Sequence, residues 1–92
     1  MVNRFLATPE AVAQAVREAR AERGLSQAEV ARAAGVGRRF VVELEAGHPR
    51  AELAKVLAVL QAVGVHAMAL PAPPAPGPLE EVDLTAAVAR FA

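Results

Sequence analysis

The chain has 92 residues, no cysteine and a net charge of zero, and hydrophobic residues make up 54% of it but aromatic residues only 3%. This composition excludes a disulfide framework and a thiolate metal site, and no apolar run approaches the length of a membrane span. A chain this rich in Ala, Val and Leu favours helices over sheets. Since the first ten residues also lack the apolar core of a signal peptide, we expect an all-α, cytoplasmic protein without a cofactor.

Two helices are predicted in the first part of the chain. Thr8-Pro9-Glu10 is a helix start, because Thr caps, Pro is tolerated at the first helical position and Glu suits the first turn. We expect this helix to end near Arg23, before Gly24. The stretch SQAE, residues 26–29, is a capping box that opens a second helix, which Gly35 ends.

A third helix is predicted from Arg38 to Ala46, and Gly47 closes it. A helix, a three-residue turn that begins with Gly and a second helix are the elements of a helix-turn-helix. The apolar residues expected to hold these two helices at a steep angle are Val36, Val41 and Leu44.

A fourth helix is predicted from about Arg50 to Val63, with Gly64 as its end. The residues expected on its buried face are Leu53, Val56, Leu57, Leu60 and Val63, and Val59 widens that face.

Residues 65–70 are apolar on both alternating faces, which predicts a short strand buried on both sides. Because the other predicted elements are helices, the simplest partner for its backbone is the same strand of a second copy, in a two-fold dimer. The alternatives are a continuation of helix four or an extended tail. The predicted dimerisation residues are Val65, His66, Ala67, Met68, Ala69 and Leu70, with His66 as a packed interface histidine.

The remaining segments divide the chain into a helical domain, residues 1–70, a stiff Pro-rich linker, residues 71–78, and a tail, residues 79–92. The tail has a helical pattern that places Leu84, Val88 and Phe91 on one face. We expect this face to dock on a partner protein, and the alternatives are docking within the homodimer and disorder.

Arginines at the start of the third helix indicate DNA binding. Cations at this positive end of the helix dipole are disfavoured by roughly 0.3–1 kcal/mol each. In a helix-turn-helix the same end meets base edges in the major groove, where a bidentate arginine–guanine contact discriminates by roughly 1–3 kcal/mol. The alternative to DNA binding is that these arginines form a basic helix face that contacts only solvent. The residues predicted to contact double-stranded DNA are Ser26, Gln27, Gly37, Arg38, Arg39, Phe40, Glu43, His48 and Arg50.

These residues have different expected roles. Glu43 accepts from a cytosine amino group, Ser26 and Gln27 hold a phosphate, and Phe40 meets a thymine methyl or a sugar, or else belongs to the core. His48 faces solvent, with a phosphate contact as its alternative. A structural ion pair is expected between Arg20 and Glu45.

The stretch LSQAEVARAAGVGRRFVVELEAG resembles the helix-turn-helix of the Xre/Cro family, shared with lambdoid phage repressors. Over about residues 4–70 the chain also resembles HipB-type antitoxins. The resemblance implies a lambda-repressor-like domain of four or five helices, with a short C-terminal strand that pairs across a homodimer. It implies autorepression on palindromic operators and neutralisation of a HipA-like kinase toxin. Gly37 departs from the family's usual Ser or Thr cap, and Phe40 from a small polar residue.

Two other functions stay open at this point. One is a stand-alone Xre-family repressor without a toxin partner, and the other is an interaction adaptor that binds no DNA. We do not expect an enzyme, because the sequence offers no nucleophile–base constellation and no ligand set around its two histidines.

Overall fold

A computed structural model describes residues 4–72. They form the helices α1 (Pro9–Glu22), α2 (Gln27–Ala34), α3 (Arg38–Glu45) and α4 (Leu53–Ala62). Helix α2 packs against α3 and α4, and α1 packs against α3. The all-α prediction is confirmed for this part of the chain. Most of the Pro-rich linker and the tail with Leu84, Val88 and Phe91 lie outside the described residues.

Local sequence signals account for the bounds of the first three helices. The Thr8 Oγ1 atom accepts from the Ala11 N–H at 3.0 Å, and Pro9 is the first residue of α1. Helix α2 begins after Ser26, and α3 begins at Arg38. These starts agree with the predicted ones because capping is decided by residues within one turn of the helix end.

The core lies where α1, α2, α3 and α4 meet, and each helix or its end contributes valine to it. A fully buried Val side chain stabilises the fold by about 1.5 kcal/mol or more relative to an exposed one. The valines at its centre are Val16, Val30, Val41, Val59 and Val63.

Helix α4 starts three residues later than predicted, at Leu53. The Arg50 backbone N–H donates to His48 Nδ1 at 3.2 Å, which closes a turn in place of a first helical turn. The predicted buried face is wrong at two positions, because Leu53 is 69% and Leu57 45% exposed. The face that packs on the core consists of Val56, Val59, Leu60 and Val63.

The end of α4 agrees with the prediction. The Val65 N–H donates to the Leu60 carbonyl at 2.8 Å and the Gly64 N–H to the Gln61 carbonyl at 3.0 Å, the two bonds of a Schellman motif. Gly64 has φ 79°. A continuation of helix four into residues 65–70 is therefore wrong.

Residues 65–70 form no strand within the described part of this chain. Val65 packs against the core, whereas residues 66–70, with His66 among them, are exposed. The expectation of a strand buried on both faces is therefore not met within one chain. The physical reason is that residues 4–64 fold into helices and short connections, which offer no strand edge to pair with.

Candidate nucleic-acid interface

Helices α2 and α3 form a helix-turn-helix, joined by Gly35, Val36 and Gly37. Gly35 has φ 72°, a left-handed conformation that glycine adopts without strain, and it ends α2. Val36 packs against the core, and Val41 and Leu44 of α3 are buried. The turn and one face of α3 are thus held against the domain, while the opposite face of α3 lies in solvent.

The start of α2 carries a complete capping box. Ser26 Oγ accepts from the Glu29 N–H at 3.0 Å, and the Ser26 N–H donates to Glu29 Oε1 at 2.8 Å. This backbone hydrogen bond holds the pKa of the Glu29 carboxyl below its usual value. The Ser26 hydroxyl also bonds the Glu29 carboxylate and lowers its pKa further, so this side chain is engaged within the capping box.

Glu45, the last residue of α3, is buried and joins three elements. Arg20 of α1 binds its carboxylate with two nitrogens, Nε at 2.7 Å from Oε2 and Nη2 at 3.0 Å from Oε1. Gln27 of α2 donates to Oε1 at 3.1 Å, and Arg17 donates to the backbone carbonyl of Glu45. The bonds that Arg20 donates to Glu45 raise the pKa of its guanidinium, against the opposing effect of burial.

The structure therefore brings Arg20 and Glu45 together, as the sequence predicts, and adds Gln27 to the pair. The Gln27 side chain, expected at a phosphate, has one amide proton bound to Glu45. Its backbone N–H, at the first position of α2, is one of the helix-end donors that a phosphate accepts from. Gln27 thus links the start of α2 to the end of α3.

The start of α3 has no side-chain cap, because Gly37 occupies the N-cap position. Arg38 and Arg39 follow it, and both are exposed. Arg39 Nε lies 3.3 Å from Glu43 Oε2, one turn along the helix, but the Arg39 side chain is 91% exposed. An exposed pair of this spacing is worth about 0.3–0.5 kcal/mol, so it leaves both side chains available to a ligand.

Phe40 lies on a different side of α3 from Arg39. Its ring is half-buried and packs against the core, and the Lys55 ammonium of α4 lies 5.8 Å from the ring centroid. Part of the Phe40 ring therefore packs against the core, as the alternative prediction expects, and the Lys55 ammonium lies over the ring.

His48 and Arg50 lie in the connection between α3 and α4. His48 is half-buried rather than solvent-facing, and its ring lines a shallow apolar groove with residues of the segment before α1. The Arg50 side chain is exposed.

Comparison with known proteins identifies this arrangement. The Helix-turn-helix family HTH_3 matches residues 16–69, more than half of the chain. The chain belongs to this helix-turn-helix family of DNA-binding transcriptional regulators. It is 53% identical over 57 residues to an uncharacterized HTH-type transcriptional regulator, y4mF, of Sinorhizobium fredii (strain NBRC 101917 / NGR234). That alignment covers 62% of this chain and 75% of the relative, and the resemblance to Xre/Cro-type proteins is confirmed.

Two side chains with contacts in or beside the candidate interface were not predicted from the sequence. Arg17 contacts Glu45 through the backbone carbonyl, which no side-chain pattern reveals. Lys55 is a cation in the first turn of α4, the same signal that singles out Arg38 and Arg39. The predicted start near Arg50 would place Lys55 in the second turn, so this position follows from the observed start of α4 at Leu53 and not from the sequence.

No helix within residues 4–72 is long and apolar enough to cross a membrane. The same range contains no group of three or more His, Cys, Asp or Glu side chains placed to hold a metal ion.

Proposed function

We propose that the protein is a sequence-specific transcriptional repressor that binds a palindromic operator as a homodimer, acts in the cytoplasm and serves as an antitoxin. The observation that carries the DNA-binding part is the uncapped start of α3 with exposed Arg38 and Arg39, in a member of a DNA-binding family. The residues assigned to DNA are Ser26, Gln27, Gly37, Arg38, Arg39, Phe40, Glu43, His48 and Arg50.

A salt titration of DNA binding tests this proposal. The probe is a fluorescent duplex from upstream of the protein's own reading frame, and the control is a scrambled duplex of equal length. If six or more phosphates are contacted by the dimer, affinity falls by about 10³-fold or more between 50 and 200 mM salt. The upstream duplex should bind more tightly than the scrambled one at every salt concentration. No binding to either duplex contradicts the proposal and supports the adaptor alternative.

The homodimer is supported by the exposed apolar surface at the end of the described chain. Met68 is 77% and Leu70 64% exposed, and the backbone of residues 66–70 pairs with no strand among residues 4–72. Pairing of this segment with its copy would satisfy the backbone and cover these side chains. It would also place two α3 helices to address half-sites about 34 Å apart.

Light scattering during gel filtration measures the assembly directly. The full chain should elute with twice the mass of one chain, and a variant with Met68→Asp and Leu70→Asp should elute at half that mass. His66→Ala offers a milder change in the same segment. A monomeric wild type at micromolar concentration contradicts the dimer.

The proposed antitoxin role rests on the resemblance to HipB-type proteins. In this proposal the protein binds and neutralises a HipA-like kinase toxin. In this proposal the tail, residues 79–92, supplies Leu84, Val88 and Phe91 to a groove on the kinase. Deletion of residues 79–92 should leave operator affinity unchanged and weaken capture of the kinase encoded beside this gene. A neighbourhood without a kinase gene favours the second candidate, a stand-alone repressor.

A further inference from the structure

Lys55 is the one lysine of the sequence, and it lies in the first turn of α4. Its ammonium is 5.8 Å from the centroid of the Phe40 ring and 3.9 Å from Glu52 Oε1. The Lys55 side chain is 50% exposed and that of Glu52 65% exposed. The Phe40 ring and the Glu52 carboxylate thus lie next to the Lys55 ammonium, which remains accessible to solvent.

These contacts of Lys55 contribute little to the stability of the fold, so stability does not account for its position. Cation–π and ion-pair attractions are small at exposed sites, and a cation in the first turn of a helix opposes the helix dipole. The arrangement is therefore similar to that of Arg38 and Arg39, whose charges also oppose a dipole and gain little within the chain.

The position of Phe40 relates Lys55 to the candidate interface. Phe40 is the residue after Arg39 in the first turn of α3, and its ring reaches from there to the first turn of α4. The major groove is about 12 Å wide, and an α-helix with its side chains is about 10–12 Å across. A helix of this width fills the groove, so a charge on its flank meets a wall of phosphates and not the base edges.

We propose that Lys55 binds a backbone phosphate of the operator and that the Phe40 ring positions its ammonium for this contact. The inference rests on the proposed DNA-binding function and deepens it. Phe40 then acts through Lys55, in place of the direct DNA contact assigned to it above. Lys55 contributes affinity that is independent of base sequence, because a phosphate carries no sequence information.

Salt-dependent operator binding tests the lysine. Lys55→Met keeps the length and apolar stem of the side chain and removes the charge, whereas Lys55→Arg keeps the charge. Because the dimer carries two copies of Lys55, Lys55→Met should lower the slope of log affinity against log salt by about two, and lower affinity on the order of 60-fold at 0.1 M salt. Lys55→Arg should retain the wild-type slope. The matched control is Arg32→Met, which removes an exposed charge from the last turn of α2, outside the assigned DNA contacts.

A chemical readout uses the wild-type protein and does not depend on the folding of a variant. Because the sequence has one lysine, acetylation by an amine-reactive ester, located by mass spectrometry after proteolysis, reports on that side chain. The operator should slow acetylation of Lys55 at least fivefold relative to the free protein. An unchanged rate in the bound protein overturns the phosphate contact.

The positioning role of Phe40 has its own readout. Phe40→Leu should weaken operator binding in the wild type but not in the Lys55→Met background, and urea unfolding of each variant shows that it is folded. Equal losses in both backgrounds would overturn positioning. A wild type that binds no DNA would sink the proposed function itself, whereas normal binding with an unchanged Lys55→Met slope would sink only this inference.

Discussion

Helix α2 begins with a serine and a glutamate that satisfy each other's backbone N–H groups, whereas α3 begins with a glycine and two exposed arginines. At the first end, the N–H groups of Ser26 and Glu29 are bonded within the chain. The second keeps unpaired N–H donors and positive charge in solvent, at the end where an anion is favoured. The difference shows that α2 is stabilised by its own start, while the start of α3 is open to a ligand.

An open start requires that α3 be positioned from its other end. Glu45 provides this, because its carboxylate and its carbonyl accept from Arg20, Gln27 and Arg17. The fold thus anchors one end of α3 and presents the other. Four changes, from the largest expected effect to the smallest, test this division.

Arg20→Ala should have the largest effect. Removing one partner of a buried ion pair costs about 3–5 kcal/mol, and because the Arg20 side chain is 24% exposed we expect about 3 kcal/mol. Urea unfolding measures the change in the free energy of unfolding. The matched control is Arg39→Ala, which breaks an exposed Arg–Glu pair and should cost less than about 0.5 kcal/mol. Similar costs for both variants would show that the two ends of α3 do not differ.

Arg39→Ala should instead weaken operator binding, by about 1–3 kcal/mol, and reduce the preference for the operator over scrambled DNA. Fluorescence anisotropy at fixed salt measures both quantities. Arg32→Ala, which removes an exposed charge elsewhere, should leave both close to wild type. A binding isotherm for Arg39→Ala identical to that of the wild type would exclude this residue from the interface.

Glu29→Gln should change how stability depends on pH. The pKa of Glu29 is lowered in the folded chain, so its charged form stabilises the fold above the usual pKa of about 4.3. This contribution is lost as the pH falls through the lowered value. Wild type should therefore be the more stable protein at pH 7, and the two should converge once the pH lies below the lowered pKa of Glu29. Parallel curves from thermal unfolding at each pH would contradict a role for the charge.

Gly37→Ser should have the smallest effect, a gain in stability of a few tenths of a kcal/mol. Gly37 has φ −75° and ψ 150°, and an added Cβ meets no atom within 4 Å, so a serine fits and its hydroxyl caps α3. Thermal unfolding should show a slightly higher Tm. A loss of stability would mean that the glycine is needed for the turn itself.

Part of the candidate site could be predicted from the sequence. The capping box, the glycine that ends α2, the exposed arginines and the pairing of Arg20 with Glu45 all match the expectation. The bond from Gln27 to Glu45 and the placement of Lys55 over Phe40 were not predicted. Each joins side chains from two helices, and their distance depends on the angle at which those helices pack.

The amino-acid sequence by itself determined the helices α1 to α3 and the turn between α2 and α3, because caps and glycines act within a few residues of a helix end. Tertiary structure alone decided which face of α4 is buried. Leu53 and Leu57 fit the apolar period as well as Val59 does, yet only Val59 lies where α2 and the rest of the core cover it. Periodicity shows that a helix has an apolar face, but the neighbouring helices decide how much of that face is removed from water.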